Sequence, residues 1–181
     1  METVPYSDNG SVFRERAVSW EGTACELSLA GRIPLADLLE ARKALEVTQA
    51  ALAAARRSEE DLRAMERALA AMAQSIGNGE EGEEADAAFH LALSTASRNA
   101  MLADLLQTVL DRIELVSEHA RATRIFCDTA VSEQLLGEHQ AIYRAIRRQD
   151  AAEAQEKMKL HLFHVGRLLL RFAALPQAGR C

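Results

Sequence analysis

Asp86 and His90 stand four positions apart in "DAAFH", within an alanine-rich stretch of helical character. At i, i+4 on a helix the two side chains lie one turn apart, close enough to grip one ion. Two further histidines occupy places in apolar stripes. His139 falls in the series Leu135, His139, Ile142, Ile146, and His161 in the series Met158, His161, Val165, Leu168, Phe172. Asp86, His90, Leu93 and Ser97 share a third face. Three segments therefore turn an imidazole inward, and one adds a carboxylate. Imidazole and carboxylate without thiolates suit Zn²⁺, Ni²⁺, Mn²⁺ or Fe²⁺ rather than a closed structural zinc site. Each histidine taken singly also fits a hydrogen-bonded core residue, so the spacing alone leaves both readings standing. His119, three residues after Val116, could line the same cavity. His164 lies on the flank of its stripe, and with His161 at i, i+3 it forms a rival pair.

These side chains need helices to position them, and the composition supplies helices. The 181 residues are 49% hydrophobic but only 4% aromatic, which indicates a core of Leu, Ala, Ile, Val and Met. That length is enough for one domain with a sizeable core. Between Pro34 and Pro176 there is no proline and there are only five glycines, as a helical bundle requires. The pattern predicts six helices in an all-α, antiparallel bundle. The first spans 36–56, with Leu38, Leu39, Leu45 and Leu52 on one side. The second opens at Ser58 with Asp61 as a capping-box partner and carries Leu62, Met65, Leu69, Met72 and Ile76. "GNGEEGEE" breaks the chain before a third at 83–97. Asn99 caps a fourth, whose stripe reads Leu102, Leu105, Val109, Ile113, Val116. The fifth covers 131–148, and the sixth covers 151–174 behind Asp150. Residues 1–35, without a sustained period, read as an irregular arm; 36–175 form the domain, and 176–181 a tail.

A net charge of −6 argues against a broad grip on nucleic acid. No apolar run reaches the ~20 residues of a membrane span, and the N-terminus lacks a secretory pattern. Cys25, Cys127 and Cys181 form no CxxC pair, so a cytoplasmic protein with reduced thiols is expected.

The segment from Leu38 to Phe172 resembles the FCD domain, the C-terminal ligand-binding domain of the FadR subfamily of GntR bacterial transcription regulators. The matching pieces, in order, are "LLEARKALE", "SEEDLRAMERAL", "DAAFHLAL", "SRNAML", "EHQAIYRAIRRQDAAEA" and "MKLHL". The resemblance implies a helical bundle around one divalent metal held by Asp86, His90, His139 and His161, with Zn or Ni favoured. It implies a small carboxylate effector bound beside or on that metal, and a homodimer. Arg42 matches the family's first-helix arginine, and a guanidinium suits a carboxylate; an i, i+4 surface pair with Glu46 is its other reading. Asn99 matches a family position as well, though capping explains it. Arg112 and Arg121 on the fourth helix could face the cavity or solvent. A regulator of this kind has a winged helix ahead of the FCD domain, and the first 35 residues show no helix-turn-helix pattern. DNA contact is therefore expected only through a winged helix absent from this chain.

The expected function is a metal-dependent sensor domain that binds an organic acid to control transcription, and not an enzyme. Two alternatives remain. One is a metal-dependent hydrolase or lyase, since an Asp–His₃ metal with open positions can activate water. It lacks an HExxH motif, and its nearest base candidate, Glu138, should be turned ~100° from inward-facing His139. The other is a stand-alone module that dimerises with intact regulators.

Overall fold

The computed structural model describes residues 33–117 and 125–173. His119, Arg121, most of the expected arm, the expected tail, and the side chains of Val116 and Phe172 lie outside the described residues. The chain divides into two units, 1–33 and 34–181, and the helices belong to the second.

Among the described residues, the long helices of this unit are α1 Leu35–Arg56, α2 Glu59–Gln74, α3 Gly79–Ala96, α4 Ala100–Ser117, α5 Thr129–Arg147 and α6 Ala151–Ala173. No strand occurs among the described residues, and no helix there is long and apolar enough to cross a membrane. The caps explain most boundaries. Ser58 and Asp61 close a reciprocal capping box at α2. Asp61 also accepts from Arg98 at 2.6 Å, which ties the end of α3 to the start of α2. Asn99 accepts from Leu102 N at 3.2 Å, and Asp150 from Glu153 N at 2.9 Å, as expected of caps.

Three expectations are corrected. α3 begins at Gly79, not 83, behind an Asn78 cap. Gly82 is not a breaker here: a Cβ on it would lie 2.9 Å from Phe126 Cβ, so glycine permits a close approach to the segment before α5. α5 begins at Thr129 because Asp128 accepts from both Ala130 N and Val131 N. On α4 the expected stripe holds at Leu102, Val109 and Ile113 but not at Leu105. Leu106 is buried, whereas Leu105 is 47% exposed, because α4 packs chiefly on α1 and sets its face by that neighbour.

Helix α1 packs against α3, α4, α5 and α6. Of its expected apolar side only Leu38 is buried; Leu39, Leu45 and Leu52 are partly covered. Its buried face instead includes Arg42, Glu46 and Gln49 together with Ala50, Ala53 and Ala54. Two apolar clusters result. The larger joins the second half of α1 to α2, α3, α5 and the first half of α6, around Met65, Phe89, Leu93, Ile142, Ile146 and Met158. The smaller contains Ile125, Phe126, Leu135 and Leu169. Along α1, α3 and α5 the chain runs toward the larger cluster, and along α6 it runs back. His139 falls between Leu135 and Ile142, and His161 between Met158 and Leu169, so a polar layer separates the clusters.

Candidate metal centre

Helices α3, α5 and α6 each deliver one imidazole to that layer. His139 and His161 are fully buried and His90 nearly so. Asp86, one turn before His90 on α3, has a side chain 19% exposed. One donor atom from each of the four residues lies within 4.8 Å of the other three.

The outer nitrogens fix the rings. His139 Nδ1 donates to the Leu135 carbonyl at 2.8 Å. His161 Nδ1 faces Glu138 Oε2 at 3.0 Å, and His90 Nδ1 lies against Glu46 Oε2. Carbonyls and carboxylates accept, so the Nδ1 of His139 and of His161 carries the proton and leaves Nε2 a lone pair, and the Glu46 carboxylate against His90 Nδ1 favours the same form there. Those lone pairs point at one another. His90 Nε2 is 3.2 Å from His139 Nε2, Asp86 Oδ1 is 3.2 Å from His139 Nε2, and His161 Nε2 is buried without a partner. Acceptors facing acceptors in a buried layer repel unless a cation stands among them. The donor set, three imidazoles and a carboxylate backed by outer hydrogen bonds, is one that fits a divalent ion.

A proton can also supply positive charge. Burial works against protonation of His90, but the charges of Glu46 and Asp86 outweigh it and raise its pKa. Burial, and next the neighbouring His139, hold His161 down to about 4. Burial disfavours ionisation of Asp86, yet its contacts with His139 and His90 prevail and keep it well below the usual carboxylate range.

Beside this cluster is a cavity of about 830 Å³. Asp86 and His90 form part of its wall, Arg42 and Ser94 another part, and apolar side chains such as Leu106 and Leu169 much of the rest. Arg42 is buried and donates from Nε to Glu46 Oε1 at 2.6 Å. The two readings of Arg42 thus merge: it pairs with Glu46, and it does so inside, on the cavity wall. Asn99 and Arg112 do not line the cavity. Asn99 caps α4, and Arg112 is partly exposed on it.

Glu46 and Glu138 are the residues that sequence reasoning missed or misplaced. Glu138 is not turned away from the cluster; it bridges His161 and His164, the latter at 2.9 Å. Its backbone position does point off the inward face, but its side chain is long enough to reach the rings on α6. The signal for Glu46 was present in the spacing: Arg42, Glu46, Gln49 and Ala53 at intervals of 4, 3 and 4 describe a buried stripe. Polar residues in it disguised it as a surface.

The fold and this site define a class. Residues 37–164 match the FCD domain, and the chain belongs to that family, the FCD-bearing GntR regulators. Among curated relatives, it is 39% identical over 129 residues to the HTH-type transcriptional regulator LutR of Bacillus subtilis (strain 168), covering 71% of this chain and 59% of that protein. It is 33% identical over 136 residues to the putative L-lactate dehydrogenase operon regulatory protein of Escherichia coli (strain K12), covering 75% and 52%. It is 31% identical over 139 residues to the Uxu operon transcriptional regulator of the same strain, covering 76% and 54%. The chain thus spans about half the length of the curated relatives it matches. All three are named as regulators, not enzymes.

Proposed function

We propose that this bundle is the sensing part of a transcription regulator, and that it binds a small organic acid in the cavity with the help of a divalent ion held by Asp86, His90, His139 and His161. The observation that carries the reading is the convergence of three Nε2 lone pairs and the Asp86 carboxylate next to a cavity walled by a buried arginine. The bound ion supplies positive charge and open positions for oxygen donors. Zn or Ni suits the nitrogen-rich ligand set best.

Charge explains why the acid should need the metal. Among the described lining residues, Arg42 is the cation of side-chain type Lys or Arg, beside the carboxylates of Glu80, Glu84, Asp86 and Asp111. Glu46 already engages Arg42. Without an ion the described part of the wall is therefore net negative and disfavours an anion. With one, a compact carboxylate meets the metal on one side and Arg42 on the other. The name of the Escherichia coli relative, which concerns a lactate dehydrogenase operon, makes 2-hydroxy acids the first to try. In this reading the domain works as a dimer in the cytoplasm and reports occupancy to a DNA-binding part of the full-length protein.

Calorimetric titration of the metal-loaded protein with lactate, pyruvate, glycolate and citrate tests this. At least one acid should bind, at least tenfold more weakly in Arg42→Ala, and undetectably after chelation. Equal binding with and without metal would make the ion purely structural. The enzyme reading has less support, because Glu138 is engaged with His161 and His164 and is not part of the cavity wall.

A further inference from the structure

Glu46 sits where two functions meet. It is 1% exposed, with one oxygen on Arg42 and the other against His90. Oε1 receives the Arg42 guanidinium at 2.6 Å, and Oε2 lies against Nδ1 of His90. Arg42 and the ring of His90 are both on the cavity wall. One carboxylate on α1 thus joins an anion-facing cation to the outer face of a metal-facing imidazole on α3. Glu138, which stands behind His161, offers a contrast. It is about one-quarter exposed, is shared with His164 and Gln134, and has no arginine on it among the described residues.

We propose that Glu46 is a positioning residue that couples metal affinity to acid binding by dividing its charge between His90 and Arg42. This rests on the metal and acid sites proposed above. A carboxylate accepting from Nδ1 fixes the ring and its tautomer and makes Nε2 a better donor to a cation. Arg42 draws on the same charge. An anion in the cavity competes for the guanidinium, returns the carboxylate to His90, and so tightens the metal. By linkage the metal then tightens the anion by the same factor. A buried ion pair that merely clamped α1 to α3 would give no such exchange.

The test measures Zn²⁺ affinity by competition with a chromophoric chelator in wild type, Glu46→Gln, Arg42→Met and the double variant, with acid absent. Glu46→Gln should weaken binding ten- to a hundredfold, the range for removing an outer partner of a ligand histidine. Arg42→Met should tighten binding, and at least fivefold more in the wild-type background than in Glu46→Gln. Additive effects, or a Glu46→Gln affinity within twofold of wild type, overturn the proposal. A second measurement needs no variant. Long-range ¹H–¹⁵N correlation on the zinc-loaded wild type should show His90 protonated at Nδ1 and bound through Nε2, and the opposite tautomer refutes it. Wild type that binds no zinc in either experiment sinks the metal reading underneath, which separates the two failures.

Discussion

The two halves of α1 are buried to a similar degree by different chemistry. Beyond Gln49 the helix is covered through Ala50, Ala53 and Ala54, against α3, α5 and α6 in the larger cluster. Before Gln49 the covered residues include Arg42 and Glu46, facing the histidine layer. The first arrangement gains from removing apolar surface and from close packing. The second buries charge, which is at best neutral for stability when paired and costly when not. A layer of buried histidines and carboxylates between two apolar clusters is therefore poorly explained by folding alone. Its retention in the centre of the bundle makes sense if something bound there uses it.

The sharpest way to separate the two halves is to remove volume from one and donors from the other. Ile142→Ala, in the dry cluster, should cost about 2–5 kcal/mol in denaturant unfolding, as large-to-small core changes do. The loss should be the same with metal or chelator present, and the folded fraction should keep its metal. Leu169→Ala, in the small cluster that borders the cavity, should fall at or below the low end of that range, since its surroundings are less tightly enclosed. If Leu169→Ala were the more damaging, the contrast between a dense region and an open one would break.

Acid should empty the polar layer before it unfolds the dry one. His161 has a folded-state pKa of about 4 against an ordinary 6.5. Its folded value is depressed, so between these limits the unfolded state binds more protons and stability rises with pH. On acidification this contribution declines from about pH 6.5 downward and is spent near pH 4. The lowered pKa of Asp86 acts in the same direction, favouring the fold above the usual carboxylate range. His90 has the opposite sign without metal, since its raised pKa favours the fold at low pH. Protonation of His90 blocks a metal ligand, however, so metal retention should fall on acidification while helical circular dichroism persists. Simultaneous loss of both would mean that the layer and the core unfold as one.

Smaller effects should follow at the edge of the layer. Glu138→Gln should weaken metal binding less than Glu46→Gln does, because Glu138 is solvated and shared between two histidines. Competition titration of the two variants side by side decides this, and a reversed order would contradict the distinction drawn between the two carboxylates.

What was legible in the sequence depended on whether a pattern is local. The faces of α5 and α6 read directly, because Leu135, Ile142, Ile146 and Met158 are apolar at helical spacing and the histidines stand among them. Caps at Ser58, Asn99 and Asp150 were equally plain, since each acts within three residues. The start of α3 was not legible: glycine at 82 looks like a break until Phe126, some forty residues away, is seen against it. On α4 the burial of Leu106 in place of Leu105 depends on α1 in the same non-local way. Glu46 was hidden for another reason. Periodicity arguments assume that buried means apolar, and the inner face of α1 violates that assumption just where the site is.

The central claim is that Asp86, His90, His139 and His161 hold one divalent ion. Elemental analysis with native mass spectrometry, on protein purified without chelator, tests it most directly. Wild type should carry one ion per chain and melt at a lower temperature after chelation, because a ligand bound to the folded state stabilises it by mass action. His139→Ala should lose the ion, and His164→Ala, which touches Glu138 but none of the converging donors, should keep it. Stoichiometric metal in His139→Ala, or equal loss in both variants, would contradict the account.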